Sequence, residues 1–391
     1  MKILGLILEC NPYHYGHEYF IKEAIKLTNP DYVIAVISGS FTMRGDVSIL
    51  NKFDKTRILL SKGVDLVIEL PIIETLHSAD YYAQNVCNIL IAMNVTDIAF
   101  GTENLSLKDL ESYFNIINSP EYQEIFKKYN KARISYKKAH QKALEELFGK
   151  NCDDLILPNN TLAMQYFKTI YNYNLKTKNE ICLHTINRKG TSDNEKDINS
   201  QTLFQSATAL RSSFQNGNSI SEYIPYNENI LMKINYDKLW NLFLYNFYQE
   251  NIKGYLKSSS LSKEGVENYI ANRINPTLDY QTSLQELKNS RYSLSMFKRI
   301  ILKSLLLQTN KNYHIIEYGY VRLLGFTKKG EKLISELNKP INFITSLKKS
   351  YDNEIINDYI ADEKLATRLY EILTKKELYN QEFKIPIKEK N

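Results

Sequence analysis

Cysteine is scarce in this sequence. The 391 residues hold four cysteines, and no two of them stand in a C-x-x-C spacing: Cys10, Cys87, Cys152 and Cys182. A zinc ribbon needs closely spaced thiolates, and a disulfide framework needs a far higher density of cysteine. The pattern therefore excludes both classes and indicates reduced thiols.

Long apolar runs are absent as well. No stretch approaches the roughly 20 consecutive apolar residues that a membrane-spanning helix needs. The apolar run after Lys2 is interrupted at Glu9 and is followed by no small-residue cleavage site, which is not typical of a signal peptide. We therefore expect a cytoplasmic protein that has no membrane partner.

Charge is balanced in the first half of the chain and basic in the second. Residues 1–215 hold 24 Lys and Arg against 24 Asp and Glu, which leaves 50 − 24 = 26 basic and 44 − 24 = 20 acidic residues for 216–391. A basic half suits a polyanionic partner such as RNA. A mildly basic domain without such a partner is about equally common, so charge alone leaves both possibilities open.

Strand and helix patterns alternate through the first 215 residues. Buried strands are predicted over 3–9, 32–38, 64–71, 97–100 and 180–186, with helices between them. This alternation predicts an α/β fold with a Rossmann-like, doubly wound parallel sheet. A charged helical stretch over about 107–150 is expected to be an insertion. Beyond 215 the alternation stops, and we expect a mainly α-helical second domain over 216–391.

The turn after the first strand carries the most distinctive residues. It reads Cys10-Asn11-Pro12-Tyr13-His14-Tyr15-Gly16-His17 and leads into a helix. The carboxyl edge of such a sheet is where ligands bind, and a helix N-terminus there favours phosphate. Two imidazoles can donate hydrogen bonds to phosphate oxygens, and Gly16 allows a close approach to the backbone. The alternative is an ordinary surface turn.

Other strand ends carry polar residues as well. They are Ser38–Asp46, Gly101–Asn104 and Asn187–Arg188, and a helix begins at Ser206–Arg211. Arg188 and Arg211 are candidate phosphate clamps because a guanidinium offers two parallel donors; the alternative for either is a solvated surface charge. No zinc-ligand spacing is present, so we predict no protein metal site. Mg²⁺ held through nucleotide phosphates would need few protein ligands.

Seven motifs, in order along nearly the whole chain, resemble the tRNA(Met) cytidine acetate ligases, a family within the H-x-G-H nucleotidyltransferase superfamily. The motifs begin at Glu9, Ser38, Val64, Gly101, Pro158, Ser206 and Arg322; the last runs from Arg322 to Gly330. The resemblance implies an ATP-dependent ligase that forms acetyl-adenylate from acetate. It then transfers the acetyl group to the wobble cytidine of elongator tRNA(Met).

The resemblance also implies a set of site residues. His14 and His17 would be catalytic and contact the phosphates. In the basic second half, Arg322, Lys328 and Lys329 offer a basic patch that we expect to hold the tRNA backbone. The ATP site would consist of Ile7, Leu8, Glu9, Cys10, Asn11, Pro12, Tyr13, His14, Tyr15, Gly16, His17, Glu18, Tyr19, Phe20, Gly101, Asn159, Arg188, Ser206, Thr208 and Arg211.

The chain departs from the family pattern at Cys10, at Tyr15 and at Asp46-Val47-Ser48. Three other functions compete with the ligase. A small-molecule adenylyl- or cytidylyltransferase uses the same H-x-G-H chemistry. A non-catalytic RNA-binding protein would keep the pocket only as a remnant. An aminoacyl-tRNA synthetase would show a K-M-S-K-S-like lysine loop, which we do not find.

Overall fold

The computed structural model describes residues 1–131, 134, 136–178, 180–190, 195, 197–249, 265–289, 291–306, 314–337 and 341–389. The strands are β1 (Ile3–Leu8), β2 (Tyr32–Ser38), β3 (Leu66–Leu70), β4 (Asp97–Thr102), β5 (Cys182–Asn187), β6 (Tyr320–Thr327), β7 (Asn342–Ile344) and β8 (Ile387–Glu389). Within the described ranges, no helix is both long and apolar enough to cross a membrane.

Helices connect most of these strands. They are α1 (Tyr15–Thr28), α2 (Lys52–Ser61), α3 (Ile72–Thr75), α4 (Ala79–Ala92), α5 (Leu107–Ile117), α6 (Pro120–Asn130), α7 (Tyr136–Phe148), α8 (Pro158–Asn174), α9 (Ala207–Gln215), α10 (Tyr236–Tyr248), α11 (Val266–Ala271), α12 (Tyr280–Leu287), α13 (Leu294–Leu306), α14 (Lys328–Glu336) and α15 (Glu354–Thr374). The insertion predicted over 107–150 is helical, as α5 to α7.

The central sheet has the strand order β5-β4-β1-β2-β3-β6-β7, and β8 pairs with β6. Strands β1 to β5 are parallel, which confirms the predicted doubly wound sheet. The chain leaves β1 toward β2 on one side and returns to β4 on the other. The crevice between the ends of β1 and β4 is therefore the topological switch point, where such sheets bind ligands.

Both faces of the sheet are buried, which explains the nearly continuous apolar strands. Along β2, Val33, Ala35 and Ile37 face one cluster of buried side chains. Ile34 and Val36 alternate with them and face the other cluster. Helices α1 and α2 cover the first face and α4 and α8 the second, so every position of the strand is in a core.

The second half of the chain differs from the prediction in one respect. It is rich in helices, but it also supplies three strands: β6 lies antiparallel to β3, and β7 and β8 run parallel to β6. Trp240 and Phe243 of α10 and Leu369 of α15 share a core with Leu4 of β1. The sheet and the core therefore continue across residue 215.

A buried ion cluster joins the two halves. The ammonium of Lys52 on α2 lies 2.8 Å from Glu69 Oε1 on β3, 2.6 Å from Glu382 Oε1 and 3.8 Å from Glu363 Oε2. Arg322 of β6 contacts Glu382 Oε2 at 3.1 Å. Burial alone would lower the pKa of Lys52, but the surrounding carboxylates outweigh it and raise that pKa. The cluster therefore joins two cations and three carboxylates from both halves of the chain in one buried network.

Candidate active site

The turn after β1 starts with a sharp bend. Cys10 has φ = +50°, in the left-handed region, and the Asn11–Pro12 peptide bond is cis. The thiol of Cys10 is fully buried, which raises its pKa to about 12, so it is inert near neutral pH. Tyr13 is fully buried as well. The bend carries the chain out of the sheet and delivers His14 to the start of α1.

The two histidines of the motif cap α1 reciprocally. The Nδ1 atom of His14 accepts a hydrogen bond from the Gly16 amide at 3.0 Å, and the Nδ1 atom of His17 accepts one from the His14 amide at 3.3 Å. Only an unprotonated ring nitrogen accepts an N–H, so each ring carries its proton on Nε2. Both rings line one cleft, with their centroids 4.1 Å apart. The cap therefore turns two imidazoles into oriented donors.

His14 is neutral at physiological pH. Burial lowers its pKa well below the usual 6.5, and the neighbouring His17, Arg188 and Arg211 lower that pKa further. A neutral imidazole with a fixed Nε2 proton still donates a hydrogen bond to an anionic oxygen. Arg188 and Arg211 therefore supply permanent positive charge beside this neutral ring.

Gly16 also has a structural role, beside the predicted close approach of a phosphate to its backbone. A Cβ atom at this position would lie 2.6 Å from Cε1 of His14 and 2.9 Å from its Nδ1. The missing side chain makes room for the imidazole of His14, which bonds to the amide of Gly16 itself. Gly16 lines the cleft as well, so close approach of a phosphate to its backbone stays a prediction. The glycine thus permits the cap that orients His14.

A second wall of the cleft comes from α9. Ser206 caps this helix by accepting a hydrogen bond from the Ala209 amide at 2.9 Å, and Ala207 and Thr208 line the cleft in the first turn. A helix N-terminus facing a cleft favours an anion. Arg211 lies one turn further on and donates to the Asn11 carbonyl at 2.6 Å. This bond fixes α9 against the turn after β1.

The opposite wall comes from the ends of β4 and β5 and the start of α8. Gly101, Asn159 and Arg188 all line the cleft. Glu103 links two of them, because its Oε1 accepts from Asn159 Nδ2 at 2.6 Å and lies 3.5 Å from Arg188 Nη1. Phe100 and Tyr166 form an aromatic floor, with ring centroids 5.6 Å apart. Aromatic surface beside fixed cations suits a nucleotide.

The loop after β2 closes the cleft and was not among the predicted site residues. Arg44 and Asp46 line the cleft, and Lys298 of α13 contacts Asp46 Oδ1 at 2.6 Å. Burial would raise the pKa of Asp46, but Lys298 and Arg211 outweigh it and lower that pKa. Glu9 Oε1 accepts a hydrogen bond from the Met43 amide at 2.7 Å, and this bond connects the loop to the end of β1.

Most of the predicted ATP-site residues line this single cleft of about 230 Å³. Five of the predicted residues do not line the cleft: Pro12, Tyr13, Tyr15, Glu18 and Ser206. The prediction missed residues that come from other elements or follow the motifs directly: Thr42, Arg44, Asp46, Tyr82, Phe100, Leu162, Tyr166, Ile186, Asn187, Lys189, Gln205 and Ala207. Three of the polar segments noted in the sequence pointed to some of them: Ser38–Asp46, Asn187–Arg188 and Ser206–Arg211.

The predicted RNA contact of Arg322 is wrong. Its side chain is 2% exposed and its guanidinium donates to Glu382 Oε2 and to the Ile344 carbonyl. Lys328 and Lys329 are exposed at the start of α14. They directly follow the last residue of β6, which runs antiparallel to β3. That residue, Thr327, donates its amide to the carbonyl of Asp65, which immediately precedes β3. They therefore lie at the sheet edge opposite the cleft.

No group of three or more His, Cys, Asp or Glu side chains in the described ranges is arranged to hold a metal ion. The acids of the cleft are engaged with protein groups, Glu9 with the Met43 amide and Asp46 with Lys298. A cation arriving with a polyphosphate would thus keep most of its ligands from the phosphates.

Comparison with known proteins gives a consistent result. The family model described as HIGH Nucleotidyl Transferase matches residues 1–384. A tRNA(Met) cytidine acetate ligase of Clostridium kluyveri is 34% identical, with 98% of each chain covered. The ligase of Thermosipho africanus is 31% identical, with 92% of this chain and 88% of its own length covered.

Solved structures agree with the sequence relatives. The chain is similar to Thermotoga maritima TmcAL bound with alpha-thio ATP, with a TM-score of 0.81, 25% identity and full coverage of both chains. The apo form of that protein gives a TM-score of 0.77 at the same identity and coverage. The similarity spans both halves of the chain, including the strands that close the sheet after residue 319.

Proposed function

Since this chain belongs to the tRNA(Met) cytidine acetate ligases, we propose that it uses ATP to activate acetate and acetylates the wobble cytidine of elongator tRNA(Met). The observation that carries the proposal is the reciprocal cap of His14 and His17 at the switch point of the sheet. It faces the same cleft as Arg188 and Arg211. A small-molecule nucleotidyltransferase is disfavoured because relatives that match both halves of this chain are tRNA(Met) cytidine acetate ligases.

In the first step, an acetate oxygen attacks the α-phosphorus of ATP and the bond to pyrophosphate breaks. Negative charge grows on the phosphoryl oxygens during this attack. Donors held in place beforehand stabilise that charge without reorganising. We propose that His14 and His17 donate to these oxygens from Nε2, and that Arg188 and Arg211 offset the charge of the polyphosphate.

In the second step, the exocyclic amine of cytidine attacks the acetyl carbonyl carbon. The carbon–oxygen bond to AMP breaks, the amine loses one proton and an amide forms. The target base has to leave its stack to reach the mixed anhydride, as in other enzymes that act on a base. The carboxyl edge of the sheet, where the cleft opens, gives the base its entry.

We propose that Mg²⁺ enters as its complex with ATP. Phosphate oxygens would supply most of its ligands, which fits the engagement of Glu9 and Asp46 with protein groups. Cytoplasmic location follows from the tRNA substrate and remains part of this proposal. Lys328 and Lys329 keep a proposed role in RNA contact, tested below against another surface.

The test uses purified protein, ATP, radiolabelled acetate and total tRNA, with label in acid-precipitable RNA as the readout. We expect label that depends on ATP and is lost in His17→Ala, which removes one donor and one half of the cap. Lys26→Ala, an exposed change on the same helix, serves as the matched control. Thermal melts of both variants show whether the fold is kept.

Label in RNA that survives without ATP would contradict the proposal. ATP cleavage to AMP without label in RNA would refute acetate or tRNA as the substrates and favour the small-molecule transferase. Equal activity of His17→Ala and the parent protein would remove the histidine cap from the mechanism. Each outcome appears in the same set of reactions.

A further inference from the structure

Helix α13 contacts the loop after β2 through two basic residues, Lys298 and Arg299. A Cβ atom on Gly45 would lie 2.7 Å from the backbone nitrogen of Arg299 and 2.7 Å from Cβ of Lys298, so loop and helix are in direct contact. Lys298 is paired with Asp46 at 2.6 Å, and Arg299 donates to the Met43 carbonyl at 3.4 Å. The position of α13 relative to the cleft is therefore fixed by contacts.

Two cations of this helix have no carboxylate partner within ion-pair distance among the described residues. Arg299 and Lys303 are four residues apart, so they share one face of α13. Burial lowers the pKa of both, and the neighbouring charge of Arg299 brings Lys303 to about 8. Asp80 is the one carboxylate whose charge acts on Arg299. Holding two cations this way costs free energy, which an anionic ligand would recover.

Aromatic side chains border these cations. His77 precedes α4, and burial together with Lys303, Arg299 and His314 lowers its pKa to about 4, so it is neutral in cells. Its ring lies 5.4 Å from that of Tyr81, which is 54% exposed. An exposed aromatic face beside desolvated cations is the combination that binds unstacked bases and their phosphates.

The same elements lead directly into the cleft. Arg299 bonds to Met43, and the next residue, Arg44, lines the cleft. Tyr81 is exposed, and its neighbour Tyr82 lines the cleft. On both elements, a residue of this surface is adjacent in sequence to one that lines the cleft. A strand bound at this surface would therefore lie beside the cleft.

We propose that Arg299, Lys303 and Tyr81 form a seat for the RNA loop, in which the cations bind a phosphate next to the target nucleotide and Tyr81 stacks on a flanking base. We name these three residues the α13 seat. The proposal rests on the proposed function, because the occupant is the tRNA whose cytidine is acetylated. It moves the RNA surface from the sheet edge of Lys328 and Lys329 to the edge that holds the cleft.

The test measures binding of an unmodified elongator tRNA(Met) transcript as a function of salt, and acetate-dependent exchange of pyrophosphate into ATP without RNA. We expect the double variant Arg299→Gln/Lys303→Gln to bind the transcript at least tenfold more weakly. The slope of its log binding constant against log salt concentration should be smaller by about one to two, because each phosphate contact contributes about one. The exchange reaction should stay within twofold of the parent protein.

Tyr81→Leu should weaken binding without changing the salt slope, since stacking releases no counterions. Lys348→Ala/Lys349→Ala removes two exposed charges elsewhere and is the matched control. Lys328→Ala/Lys329→Ala tests the competing surface.

Unchanged binding by the Arg299/Lys303 variant would overturn the α13 seat, as would a loss confined to the Lys328/Lys329 variant. Loss of pyrophosphate exchange together with RNA binding would also overturn it, because the change would then act through the loop and the ATP site. Absence of acetate-dependent exchange in the parent protein would instead refute the proposed function. The binding measurements would still decide on the seat.

Discussion

His14 has two tasks: its imidazole caps α1 and faces the nucleotide cleft. The bond from the Gly16 amide to Nδ1 decides which ring nitrogen carries the proton, and burial keeps the ring neutral. Orientation and protonation of the donor are thus set by the helix before substrate arrives. Donors fixed in this way need no reorganisation during the reaction, and here the cap of a helix fixes them.

Substitution of Gly16 by Ala should disturb the two tasks of His14 while the fold is kept. The new Cβ would meet the His14 ring at 2.6 Å and force it to move, while the rest of α1 stays paired. We expect ATP binding to weaken about tenfold or more, because small misplacements of such groups are expensive. Isothermal titration with ATP measures this loss. Lys26→Ala on the same helix is the control, and unchanged affinity in Gly16→Ala would contradict the role of the cap.

At the scale of elements, the helical insertion has a partly buried histidine between its helices. His140 of α7 accepts or donates at both ring nitrogens, to Tyr113 of α5 at 2.5 Å and to Tyr122 of α6. Burial lowers its pKa to about 4. The three helices therefore meet at a neutral imidazole.

The insertion should lose stability in acid. The unfolded segment takes up a proton near pH 6.5 and the folded one only near pH 4, so the contribution of His140 is complete above pH 6.5 and declines as the pH falls toward 4. Hydrogen exchange followed by mass spectrometry should show lower protection free energies in α5 to α7 at pH 5 than at pH 7. His140→Gln should abolish this difference; the same decline in that variant would contradict the assignment.

Elements differ in how well the sequence predicts them, and the reason is the range of their interactions. Strand β1 and the H-x-G-H turn were predicted correctly because an apolar run and a local cap specify them. Strand β6 was missed because it carries Arg322 in its middle, which read as a surface charge. Its burial depends on Glu382, 60 positions further along the chain. Arg44 was missed for the same reason, because its loop is held at the cleft by contacts with residues far along the chain.

Across the whole molecule, Lys52 connects helix, sheet and C-terminal segment. Lys52→Met leaves Glu69, Glu363 and Glu382 with Arg322 as the one cation of the cluster among the described residues. Uncompensated buried charge typically costs about 3–5 kcal/mol, and we expect a loss of that size in the free energy of unfolding. Urea denaturation measures it.

Arg57→Ala is the matched control for this change. It removes a cation from the same helix, but the pair with Asp54 lies at the surface, with the Arg57 side chain 52% exposed. Its cost should stay below about 1 kcal/mol. Equal effects of the two substitutions would show that the buried cluster adds no stability of its own.

The ion cluster also has a consequence for synthesis of the protein. Glu69 follows Lys52 within 17 positions, whereas Glu382 comes 330 positions later. At ribosomal rates of about 5–20 residues per second, this interval lasts on the order of tens of seconds. During that time the nascent chain has its first strands and the Lys52–Glu69 pair, but it lacks Glu382 and strand β6, which pairs with β3. Early segments thus wait for late ones, a period in which chaperone binding would matter most.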